Sequence, residues 1–89
     1  MPRAPITYNL FRGDYALELS LDDATRCFTV TCQPSSAFDQ PEVQRVTQRW
    51  CERVARGYAR RHRQGNHADV KLLPSKATGK LFGQIIISA

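Results

Sequence analysis

The sequence predicts an α+β fold: an antiparallel β-sheet of four to five strands, in β-β-β-α-β-β order, with one long amphipathic helix packed on one face. Three observations carry this. Residues 15–21 and 27–32 alternate apolar and polar with a period of two, and residues 43–58 repeat apolar side chains at helical spacing. Residues 81–88 are apolar at both parities. The 89 residues are expected to make one compact domain, 1–89.

The first strand is read from Ile6, Tyr8 and Leu10 alternating with Thr7, Asn9 and Phe11. Gly13 then marks a reversal. In the next run Tyr15, Leu17, Leu19 and Leu21 share one face while Asp14, Ala16, Glu18 and Ser20 share the other, as in a strand with one wet side. Asp22-Asp23-Ala24-Thr25 supplies a polar turn. Phe28, Val30 and Cys32 alternate with Cys27, Thr29 and Thr31, and this β-branched run is expected to pair antiparallel with its predecessor.

Gln33–Phe38, with Pro34, Ser35 and Ser36, reads as a loop. Asp39 and Glu42 have the spacing of a capping box, with Pro41 tolerated in the first turn. The helical pattern continues to about Gln64, where Gly65-Asn66 is a natural stop. Val43, Val46, Trp50, Val54 and Tyr58 form its apolar ridge; Arg45, Arg49, Glu52, Arg53, Arg56, Arg60 and Arg63 form the opposite side. Arg61 breaks this division by falling near the ridge. Beyond the helix, Val70 and Leu72 alternate with Asp69 and Lys71 up to Pro74, Ser75–Gly79 reads as a turn, and Leu81–Ser88 forms a last strand. Its apolar residues at both parities imply a central strand, or an edge covered by a partner.

Charge is distributed unevenly. Residues 1–44 carry about −3 and the remainder about +8, giving the net +5. Seven arginines fall within residues 45–63, six of them on one stripe. Like charges at i,i+4 cost a helix a few tenths of a kcal/mol per pair, so this decoration does not serve the helix itself. The planar guanidinium fork suits phosphate and carboxylate. The competing reading is a solvated basic face, with Arg60, Arg61 and Arg63 complementing the helix dipole.

Other motifs carry less. Ser75-Lys76-Ala77-Thr78-Gly79-Lys80 lacks the first glycine and final hydroxyl of a phosphate loop, and it precedes a strand; it reads as a hairpin turn whose Lys76 and Lys80 add backbone contacts to a nucleic acid. Arg12-Gly13-Asp14 reads as a turn. Trp50 and Tyr58 belong to the ridge, so base stacking is not expected. Cys27 and Cys32 point to opposite faces of one strand and Cys51 stands alone, which fits a reducing compartment. His62 and His67 straddle the helix stop and have no cysteine nearby, so no metal is expected. No cofactor motif and no acid/base or nucleophile set is apparent, and the chain is not expected to be an enzyme. Neither a signal core nor a membrane-length apolar run occurs, and the expected location is cytoplasmic.

The leading expectation is a non-catalytic module that contacts nucleic acid (DNA or RNA) through phosphates, using Arg45, Arg49, Arg53, Arg56, Arg60, Arg63, Lys76 and Lys80. The alternative is a small protein-interaction module, an inhibitor or adaptor of the kind mobile elements such as phages carry, docking on an acidic protein. A homodimer through the final strand or the open sheet face is compatible with both.

Overall fold

Ile6–Phe11 (β1) and Ala16–Leu21 (β2) form an antiparallel hairpin in which Leu10 faces Leu17 and Tyr8 faces Leu19. The Arg12 N–H donates to the Tyr15 carbonyl at 2.9 Å, closing the turn that holds Gly13. In this computed structural model, residues 5–62, 67–73 and 79–88 are described. Cys27–Gln33 (β3) pairs with β2 so that Leu17, Leu19 and Leu21 oppose Cys32, Val30 and Phe28, all six buried. The alternation of the sequence thus places one apolar layer against the helix.

The turn between β2 and β3 is held by Asp22. Its N–H donates to the Cys27 carbonyl at 2.9 Å, its carbonyl accepts from Arg26 N–H at 2.8 Å, and its carboxylate accepts from Ala24 N–H at 2.9 Å. Arg26 adopts a φ of 60°, a conformation that a tight reversal imposes at a small energetic cost.

His67–Leu73 (β4) and Lys80–Ser88 (β5) form a second antiparallel hairpin, and β5 also pairs antiparallel with β3. The sheet order is β1-β2-β3-β5-β4. β3 and β4 therefore run parallel with β5 inserted between them, and the helix makes the crossover. β5 lies between β3 and β4, as its apolar character at both parities suggested, and over Phe82–Gln84 it is paired on both sides. Gly83 makes this pairing possible. A Cβ there would sit 2.3 Å from the Phe28 ring, which lies against the glycine backbone.

The stretch expected to be a loop contains a 3-10 helix, Ser35–Asp39. Pro41–His62 (α1) begins after it. Gln44 N–H donates to the Gln40 carbonyl at 3.1 Å, so Gln40, not Asp39, gives the first helical acceptor. Pro41 then occupies the first helical position, where no N–H is needed. The Phe38 carbonyl accepts from the Gln44 side-chain amide at 2.9 Å and secures the entry to the helix.

The buried face of α1 is broader than the expected ridge. Val43, Trp50, Val54 and Tyr58 are buried, whereas Val46 is half-buried, and Thr47, Cys51, Ala55 and Ala59 are buried beside them. Thr47 enters the core without an unmet polar group because its hydroxyl donates to the Val43 carbonyl at 2.7 Å. Ala55 and Ala59 lie on the flank of the helix turned from Trp50, and α1 approaches β4 closely. Small side chains on that flank permit the close approach to β4, while Trp50 lies on the other flank. A groove remains open on the β1 side.

Candidate nucleic-acid interface

The buried arc of α1 dictates where its arginines go. At about 100° per residue, Arg45, Arg49, Arg53, Arg56 and Arg60 fall within an arc of about 80° opposite Thr47, Val54 and Tyr58. All five are exposed. They follow each other at intervals of three or four residues, so at about 1.5 Å per residue the row is roughly 22 Å long. Among the described residues, none of the five forms an ion pair or a side-chain hydrogen bond. Most of the described carboxylates lie elsewhere. Glu18 and Asp69 share the outward parity of the sheet face away from the helix, and Asp14, Asp22 and Asp23 lie in the connections flanking β2. Glu52, half-buried, lies on the same side of α1 one turn from Arg49 and Arg56, and Glu42, in the first turn, lies one turn before Arg45; neither forms an ion pair with the row.

The expected site is only partly assembled. Lys80 has the parity of Phe82, Gln84 and Ile86 and so faces away from α1, on the opposite side of the sheet. It does not join the row. Arg63 and Lys76 lie outside the described residues, as do the Gly65-Asn66 stop and most of the Ser75–Gly79 turn. Arg61, the exception in the sequence pattern, lines the groove between β1 and α1 together with Arg53.

The open sheet face has a different character. Glu18, Asp69, Lys71 and Lys80 mix both signs there, and Leu73, Phe82 and Ile86 are each exposed by 36–42%. Phe11, 76% exposed, sits at the far end of β1. Trp50 and Tyr58 are buried, and with the half-buried Tyr8 they line the groove beside Arg53 instead of standing exposed along the arginine row.

Polar chemistry near the helix is structural in form. The Tyr58 hydroxyl donates to the Asp23 carboxylate, and its ionisation is pushed up, first by burial and then by that carboxylate, with Arg26 opposing. Burial pushes the Cys51 thiol up to about 12, with Glu52 adding to the effect, and burial also raises Cys32. Neither is a thiolate at neutral pH. Among the described residues no group of three His, Cys, Asp or Glu side chains is placed to hold a metal. No helix among them is long and apolar enough to cross a membrane.

Comparison with protein families, with characterised proteins and with solved structures finds no match to this chain.

Proposed function

We propose that the protein is a non-catalytic binding module that grips nucleic-acid phosphates with the outer face of α1. The observation that carries this reading is the row of Arg45, Arg49, Arg53, Arg56 and Arg60, exposed in line and without ion-pair partners among the described residues. Arginines so placed repel one another, and an external anion array relieves that repulsion while accepting their N–H groups. Duplex nucleic acid presents one charge per about 1.7 Å of axis, so a row roughly 22 Å long meets ample phosphate.

The same geometry argues against reading bases. Phosphate contacts fix position but carry no sequence information. With Trp50 and Tyr58 buried, neither presents an exposed ring face on which unpaired bases stack. Binding is therefore expected to be tolerant of sequence and sensitive to salt. Lys80 stands apart from this surface.

Fluorescence anisotropy on a labelled duplex at low ionic strength tests the reading. Replacing Arg45, Arg49, Arg53, Arg56 and Arg60 together by glutamine abolishes binding, while Lys80→Gln leaves it within about twofold, since it removes none of the counterion release. A wild-type protein that leaves the duplex free at low salt, or a five-fold variant that binds as wild type does, contradicts it.

A further inference from the structure

We infer that the β1 edge and the groove beside it form a second binding site, one that takes an acidic, extended peptide segment as a sixth strand. Two independent features meet there. The first is the edge itself. β1 ends the sheet, and its six residues Ile6–Phe11 contain no charge and no proline, the usual protections of an exposed strand. Because Arg12 N–H bonds the Tyr15 carbonyl, alternation along the antiparallel pair turns the N–H and C=O groups of Thr7, Asn9 and Phe11 outward. Those are the groups an added strand pairs with.

The second feature is the groove, of about 310 Å³, where α1 stands off from β1. Tyr8 and Leu10 make its strand wall, and Trp50 and Val54 its floor. Arg53 and Arg61 are its charged members, and both are exposed. Gly57 faces into it, and a Cβ there would meet nothing within 4 Å. Glycine inside a helix costs about 1 kcal/mol relative to alanine, and here no packing contact requires it. Its effect is to keep the groove open.

Charge selects the occupant. Arg53 and Arg61 are two turns apart, roughly 12 Å along the helix axis. Positions i and i+4 of an extended strand, which share a face, are about 13 Å apart. A strand carrying carboxylates at i and i+4 with a bulky apolar residue at i+2 thus places acid near both arginines and an anchor over Trp50. A second copy of this chain fits poorly. Edge-to-edge pairing of β1 with its own copy brings two Arg53/Arg61 pairs together and supplies no carboxylate, because β1 has none.

The site is separable from the arginine row through Arg61, which lies outside that row. The probe is a capped heptapeptide, Thr-Glu-Thr-Phe-Thr-Glu-Thr, titrated against the intact chain while following Trp50, the single tryptophan. Saturable change in Trp50 emission is expected, together with amide shifts at Thr7, Asn9 and Phe11. Three changes should each weaken binding at least tenfold: lysine in place of both probe glutamates, N-methylation of the probe's edge-facing amides, and Arg61→Glu. The lysine probe should regain affinity for the Arg61→Glu protein. Gly57→Leu should fill the groove and block the probe while the far-ultraviolet spectrum stays native. Equal binding of the lysine and glutamate probes, or undiminished binding to folded Gly57→Leu, overturns the inference. So does self-association that buries the β1 edge and excludes the probe. Loss of duplex binding with retained probe binding, or the reverse, shows which of the two sites has failed.

Discussion

Tyr58 in α1 donates its hydroxyl hydrogen bond to the carboxylate of Asp23, in the turn between β2 and β3, thirty-five residues earlier in the chain. This contact ties the later half of the helix to the sheet, in a segment where the outer face is crowded with like charge. Removing it by Tyr58→Phe should destabilise the fold by about 1.5–3 kcal/mol, the range for hydrogen bonds to charged groups. Urea denaturation monitored by circular dichroism measures this. An unchanged midpoint contradicts it.

The same residue gives the fold a signature in alkali. Tyr58 ionises later in the folded chain than in the unfolded one, chiefly because it is buried. The folded state therefore holds its proton after the unfolded state has released one. The contribution to stability is fully present below the ordinary tyrosine value near 10 and declines as pH rises above it. Absorbance titration should show a late tyrosine step, and Tyr58→Phe should remove it. A late step that survives Tyr58→Phe, or none at all, would contradict the burial.

Three glycines should respond in opposite directions. Gly57→Ala is expected to stabilise by about 0.5–1 kcal/mol, since a Cβ meets nothing and the helix gains propensity. Gly83→Ala drives a methyl into the Phe28 ring and should cost about 1–3 kcal/mol. Gly79→Ala faces both a φ of 71° and a Ser35 Cβ only 2.5 Å away, and should also destabilise. Denaturation midpoints of the three variants test the set, and a shift of the same sign in all three contradicts the packing described.

Cysteine reactivity probes the core from another side. Cys27 is exposed, while Cys32 and Cys51 are buried with raised pKa values. A thiol reagent should label one cysteine rapidly in the native protein and all three only after unfolding. Rapid labelling of Cys51 would mean that α1 is not seated on the sheet.

Much of this architecture is legible in the residues. The period-two runs through Leu17–Leu21 and Phe28–Cys32 mark the buried sheet face, and the last strand lies between two others, paired on both sides over Phe82–Gln84, as its apolar residues at both parities implied. Other features depend on packing that no local pattern encodes. Thr47 is polar by type yet buried, because it bonds to its own helix. Ala55 and Ala59 look neutral on a helical wheel, yet both are buried. Ile86 counts as apolar and is still 42% exposed on the open face. The helix starts at Pro41 because Ser35–Asp39 closes into a 3-10 helix, which the serine and proline content suggested only as loop. The arginine row is read directly from spacing. The groove is not, since it depends on where α1 sits over the sheet, though Arg61 falling out of the polar stripe was its trace in the sequence.

The salt dependence of duplex binding measures the role of the row most directly. Each phosphate neutralised contributes about −0.9 to the log–log slope, so five or six arginine contacts give a slope near −5. Replacing Arg45 and Arg49 by glutamine should make it shallower by about 2. A flat salt response, or one that the double substitution leaves unchanged, would show that the guanidinium row is a solvated surface and not a grip on phosphates.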